Sequence, residues 1–174
     1  MSYLPSAPNA SLMDCFKRQP AIAAPLHVFA EELMRSASPF TAAQRERIAA
    51  FVSHRNGCAF CRDSHNEALR HLGGEPEPLP DGAYTNDSLA PVLELVARLN
   101  DDPAAVTQAD VDAVLAAGWN ETAVEHAVLV CGFFNLMNRW VEGLGIPSDP
   151  QIVRQAGAML CERGYRGVTD MLGA

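Results

Sequence analysis

Apolar residues recur along this chain at the three-to-four-residue spacing of helices. Between Thr41 and Arg55 the side chains of Ile48, Phe51 and Val52 and the stem of Arg55 fall on one stripe. From Ser88 to Asn100 the residues Leu89, Val92, Leu93, Val96 and Leu99 repeat the pattern. No run of four or more residues alternates apolar and polar between turn signals, and the 27 alanines and 17 leucines add helix propensity throughout. The pattern predicts an all-α protein.

Punctuation places the helices. A first one is expected over about Pro20 to Met34, followed by Ser38-Pro39-Phe40-Thr41, in which Thr41 is an N-cap for the next. Asn56-Gly57 stops that helix, and another starts at about Cys58 and runs through Leu69 and Leu72 to Gly73-Gly74. Gly73 to Asp87, dense in proline and glycine, reads as a loop. Asp101-Asp102-Pro103 breaks the Ser88 helix, Thr107-Gln-Ala-Asp110 opens a short one ending near Gly118, and Asn120 caps a longer one through Val141. The middle of that long helix, Val128 to Met137, is apolar nearly all round and predicts a buried central helix. Gly143 and Gly145 end it, and Asp149 to about Arg163 is expected as the last helix. Residues 1–174 are read as one domain, with 1–19 an N-terminal arm.

Charge and composition narrow the function. A formal charge of −8 repels polyanions, which argues against nucleic acid as a partner. The longest apolar stretch, Ala127 to Phe134, contains a glycine and falls far short of the roughly 20 residues a bilayer needs. Met1 to Ala10 has neither the basic residues nor the apolar block of a targeting segment, so the expected location is cytoplasmic. Five cysteines, an odd number, argue for free thiols and one reactive pair over a disulfide framework. Cys131 and Cys161 read as small buried hydrophobes.

The chemistry concentrates between Glu46 and His65. On a helix Cys58, Cys61 and His65 stand at about 0°, 300° and 340°, sharing one face. Cys58, placed in the first turn, has the backbone N–H groups and helix dipole that favour a thiolate. Glu46 lies off the Ile48/Phe51/Val52 stripe, on a face with Ala42, Ala43, Ala49, Ala50 and Ser53. Folding back at Asn56-Gly57 would bring its carboxylate against the cysteine helix, as a base toward a thiol or an orienting partner for His65. A Cys₂HisGlu zinc set and a pair of inert core cysteines are the alternatives to redox chemistry, and the three ligands on one helical face converge poorly on a tetrahedron. His54, in a last turn, complements the helix dipole.

Glu46, twelve residues to Cys58, then Cys61 and His65 is a spacing that resembles the alkylhydroperoxidase D (AhpD)-like family within the carboxymuconolactone decarboxylase superfamily. Asn56-Gly57 before the first cysteine fits as well. Asp102-Pro-Ala-Ala-Val-Thr-Gln-Ala-Asp-Val and Phe134-Asn-Leu-Met-Asn-Arg139 resemble the peroxidase-related branch. The resemblance covers roughly Pro39 to Asp149. It implies an AhpD-like helical bundle with the CxxC at a helix start, assembled as a homo-oligomer, a dimer or a dimer-based hexamer.

By the same resemblance the protein is a thiol-dependent hydroperoxide reductase. Cys61 attacks the peroxide and becomes a sulfenic acid, Cys58 condenses with it, and Glu46 and His65 relay the proton. Its partners are a small hydroperoxide and a dithiol reductant, protein or small molecule, with no metal or organic cofactor. Position in the first turn alone favours Cys58 as the nucleophile, whereas the family pattern favours Cys61. One departure stands out: Phe60 occupies the place of a further histidine found in the best-known members. It keeps open a second reading, a thiol-disulfide oxidoreductase or redox-sensing module that does not turn over peroxide.

Overall fold

A computed structural model describes residues 1–74 and 88–173. The stretch 75–87, most of the loop expected between Gly73 and Asp87, lies outside the described residues. Among the described residues there are nine α-helices, one 3-10 turn at Pro103–Ala105, and no strand. They are α1 (Leu12–Arg18), α2 (Pro20–Arg35), α3 (Ala42–Arg55), α4 (Ala59–His71), α5 (Ala90–Asp101), α6 (Gln108–Ala116), α7 (Glu121–Gly143), α8 (Pro150–Glu162) and α9 (Arg166–Leu172).

The caps expected from the sequence are made. Thr41 Oγ1 accepts the Gln44 N–H while the Gln44 side chain accepts the Thr41 N–H, and Asn120 Oδ1 accepts the Ala123 N–H. Two helices were not expected. Within the N-terminal stretch, Ser11 and Asp14 cap each other reciprocally and open α1, which buries Cys15 and Phe16. Beyond Arg163 the chain turns at Gly164 and continues into α9, so the Asp149 segment is not the last helix. The arm also lies on the body of the protein, where the Tyr3 N–H donates to the Leu144 carbonyl.

Helices α3 and α4 form a tight hairpin whose turn is set by backbone geometry. The Gly57 N–H donates to the His54 carbonyl at 3.0 Å and the Cys58 N–H to the Ser53 carbonyl at 2.9 Å, a Schellman closure with Gly57 at φ 70°. Only glycine takes that φ without strain. Cys58 therefore ends one helix and caps the next.

On its other side α4 packs against α8 at unusually close range. A Cβ built on Gly157 would fall 2.4 Å from Cβ of Glu67 and 3.0 Å from the Ala68 nitrogen, so the approach depends on that glycine. Helix α7 runs along α3 and α5, and α2 runs beside α9. The main core gathers Ile48, Val52, Val92, Val96, Val130 and Phe134.

The long helix α7 is not buried all round. Ala127, Val130, Cys131, Phe134 and Val141 are buried, whereas Leu129 is 52% and Leu136 47% exposed. Among the described residues, neighbouring helices cover one flank of α7. On α2 the side chains of Ile22 and Phe29 are exposed too, and Phe29 touches Phe133 at 5.7 Å between ring centroids.

Candidate active site

All four residues singled out by spacing are buried: Glu46, Cys58, Cys61 and His65. Two of them touch. Nδ1 of His65 on α4 lies 2.7 Å from Oε2 of Glu46 on α3. An ionised carboxylate only accepts, so Nδ1 carries a proton in either charge state of the ring, and Nε2 is an acceptor when the ring is neutral. The ring is further fixed edge-on to Phe134, 4.4 Å between centroids.

Glu46 is fully enclosed, and two residues absent from the sequence reading complete its surroundings. Arg35, on the last turn of α2, donates from Nη2 to Oε1 at 2.6 Å. It also donates to the carbonyls of Leu160 and Met34, both at 2.9 Å. The hydroxyl of Tyr165, just before α9, donates to the carboxylate at 3.2 and 3.4 Å. Burial by itself would raise the Glu46 pKa, but the hydrogen bond and charge of His65 and the charge of Arg35 outweigh it, and the carboxyl is held below its ordinary range. Burial, then the neighbouring carboxylate, pushes the Tyr165 phenol up, so it stays a donor. The guanidinium of Arg35 also stands 5.2 Å from the centroid of the Tyr165 ring.

The two cysteines differ in setting. Cys58 is the N-cap of α4, with φ −83° and ψ 90°, and not a residue of its first turn. The face shared on a regular helix is thus that of Cys61 and His65 alone. The Cys58 thiol is also pushed up, where the helix start was expected to lower it: first by its hydrogen bond to Cys61, then by burial, then by the charge Cys61 would carry. Both thiols belong to a small apolar cluster with Ala10, Cys15, Val141, Ile146 and Val153, partly covered by Leu4 and Ala7 of the N-terminal stretch.

A cavity of about 480 Å³ opens beside the pair. Cys61 and His65 line it and Cys58 does not. Its other walls are mostly apolar, among them Phe60, Phe134, Met137, Met159 and Leu160. His27, given no role from the sequence, also lines it. Its Nδ1 hydrogen-bonds the Ala23 carbonyl at 2.7 Å, and burial pushes its pKa down, so it presents a neutral ring. His126 is bound to the Leu33 carbonyl at 2.8 Å, away from the cysteines.

No family model and no curated protein matches the chain. Solved structures do. One, an uncharacterized peroxidase-related protein from Silicibacter sp. TM1040, is 25% identical over 73% of this chain and 70% of its own, with a TM-score of 0.67. A second is described as an alkylhydroperoxidase AhpD core, an uncharacterized peroxidase-related protein from Ralstonia eutropha JMP134. It is 20% identical, covers 82% of this chain and 78% of its own, and has a TM-score of 0.72. The fold is that of the AhpD-like, peroxidase-related proteins. The AhpD-like bundle that the family resemblance implied is therefore the architecture found. Among the described residues no helix is long and apolar enough to cross a membrane.

Proposed function

We propose that the protein is a thiol-dependent hydroperoxide reductase whose nucleophile is Cys61. The observation that carries this is the sharing of one cavity by Cys61 and His65, with His65 held by a buried carboxylate. His65 Nε2 takes the Cys61 proton, and the thiolate attacks the distal oxygen of the hydroperoxide. An S–O bond forms, the O–O bond breaks, and the alkoxide leaves with the proton returned from His65. The Cys58 sulfur then attacks the sulfenic sulfur, giving the disulfide and water, and an external dithiol restores both thiols by exchange.

Glu46 acts here as a fixed anion. Held low by His65 and Arg35, it orients the imidazole and balances the charge that His65 gains, and it does not itself leave with a proton. The apolar walls of the cavity favour an organic hydroperoxide over hydrogen peroxide. The description of both structural neighbours as peroxidase-related supports the same reading.

Single-turnover oxidation with hydrogen peroxide and an alkyl hydroperoxide, followed by steady-state turnover with a dithiol, tests the proposal. Turnover no greater than that of Cys61→Ser overturns it. Fast disulfide exchange without peroxide reactivity would mark the second reading, a thiol-disulfide oxidoreductase or redox sensor, which the Phe60 substitution keeps in view. Self-association is part of the proposal, because Ile22, Phe29, Leu129 and Leu136 leave an apolar surface on α2 and α7. Sedimentation as a monomer alone at micromolar concentration would remove it. A cytoplasmic location completes the reading.

A further inference from the structure

Within the segment Phe134 to Arg139, Asn135 and Asn138 have no part in the steps above, yet they carry a polar network that ends at the cysteine turn. Asn138 on α7 is 1% exposed. Its Nδ2 donates to Ser53 Oγ at 3.0 Å, and its Oδ1 accepts from Asn56 Nδ2 at 2.9 Å. Asn56 Oδ1 accepts from Asn100 at 3.0 Å, and Asn100 Oδ1 accepts from Asn135 at 2.8 Å, so α5 joins the same network. A buried amide is costly unless paired, and Asn138 is paired through both its atoms, with the half-buried Asn56, Asn100 and Asn135 continuing the network.

The two residues that Asn138 grips are those that set Cys58. Ser53 supplies the carbonyl that accepts the Cys58 N–H, and Asn56 is the C-cap of α3, two residues before Cys58. As the N-cap of α4, Cys58 is held from two sides: its carbonyl accepts the Arg62 N–H at 3.0 Å, and its N–H is held by the turn at Ser53. The turn side is tied to α7 through Asn138.

We propose that Asn138, acting through Ser53 and Asn56, is a positioning residue for the step in which Cys58 closes the disulfide onto Cys61. In that step the Cys58 sulfur forms the S–S bond and loses its proton, and the leaving group departs from Cys61: hydroxide from a sulfenic acid, which takes the proton as water, or a thiolate from a mixed disulfide. A sulfur displaced by about 1 Å loses its in-line approach, while Cys61, on the regular part of α4 and beside the cavity, keeps its own reactivity. The proposal rests on the redox reading of the pair but not on peroxide as the oxidant.

The experiment uses 5,5′-dithiobis(2-nitrobenzoate) in a Cys161→Ser background, since Cys161 is the half-buried one of the five thiols. Attack by Cys61 releases one thionitrobenzoate, and ring closure by Cys58 releases the second. In Asn138→Ala the first release is expected to stay within about twofold of the parent and the second to slow by about tenfold or more. With hydroperoxide, the sulfenic acid of Cys61 would persist correspondingly longer to dimedone. A second release at the parental rate overturns the proposal, as does equal slowing of both steps alongside a lowered melting temperature, the mark of a merely structural role. Should Asn138→Ala fail to fold, Asn56→Ser, at the half-buried end of the same bond, takes its place with the same expectations. If peroxide oxidises no cysteine while the second release still slows, the peroxidase reading fails and this one stands.

Discussion

The guanidinium of Arg35 holds Glu46 at 2.6 Å through the carboxylate oxygen that His65 does not use. Each oxygen thus has its own cationic or cation-forming partner, and the carboxylate is fixed in charge as well as in place. An isolated buried carboxylate would instead take up a proton and lose its grip on His65.

Replacing Glu46 by Gln therefore has two effects. In the proposed mechanism the imidazolium formed at His65 would lose its counter-charge, and hydroperoxide turnover is expected to fall by about 10². Arg35 loses its partner as well, at a cost of about 2 kcal/mol, because 15% side-chain exposure and two carbonyl partners soften the loss of a nearly buried pair. Single-turnover thiol oxidation and thermal melts on the same sample check both. Unchanged oxidation at neutral pH removes Glu46 from the mechanism.

The depressed pKa of Glu46 also sets an acid limb of stability. Its folded value lies below the ordinary 4.5, so the unfolded chain binds the proton first as pH falls. The stabilisation is whole above about pH 4.5 and is lost as pH drops through the folded value. Melting temperatures between pH 3 and 7 are expected to fall more steeply at the acid end for the wild type than for Glu46→Gln. Asp14, Asp101 and Asp110 titrate in both proteins and cancel, so the difference between the two curves belongs to Glu46 together with its His65 contact. Parallel curves would contradict the assignment.

Tyr165→Phe keeps the ring beside Arg35 and removes one donor to the carboxylate. At 3.2 Å and longer that hydrogen bond is the weakest of the three Glu46 receives, and its loss is expected to lower stability by about 1 kcal/mol. Turnover should fall far less than in Glu46→Gln, since the His65 contact survives. A loss as large as that of Glu46→Gln would instead place the hydroxyl in the proton path.

The line between what the sequence disclosed and what it hid follows the boundary of the α3–α4 hairpin, not distance alone: Arg35 is only 11 residues from Glu46 but stands on another helix. Glu46, Cys58, Cys61 and His65 sit in one helical hairpin, so helical spacing and the Asn56-Gly57 turn suffice to bring them together. Arg35 and Tyr165 come from α2 and from the start of α9, and the Tyr165–Glu46 contact spans 119 residues, a pairing no local periodicity encodes. Helix α9 has no side-chain N-cap to announce it, whereas α1 has one: Ser11-Leu-Met-Asp14 is the same kind of signal that marked Thr107-Gln-Ala-Asp110. The apolar girth of α7 predicted burial, but Leu129 and Leu136 are half exposed because a single chain covers only one flank. The turn that makes Cys58 an N-cap was read as a helix start, and the expected drop in its thiol pKa went with it.

The cavity makes a last prediction about substrate size. Ala156 on α8 lines it near Gly157, where α8 approaches α4 too closely to yield. In Ala156→Phe the added ring is expected to occupy space that an organic hydroperoxide would fill, because the backbone behind it cannot retreat without opening the Gly157 contact. Reaction with a bulky hydroperoxide such as cumene hydroperoxide should slow by about tenfold or more, the scale on which an apolar pocket discriminates by size. Hydrogen peroxide, which needs room only at Cys61 and His65, should react nearly as before. The comparison is made as kcat/KM for each peroxide on folded protein, with helical content and melting temperature measured alongside. Equal slowing of both peroxides would mean that the substitution disturbs Cys61 or His65 themselves. An unchanged ratio with unchanged rates would mean that organic hydroperoxides reach Cys61 by another route.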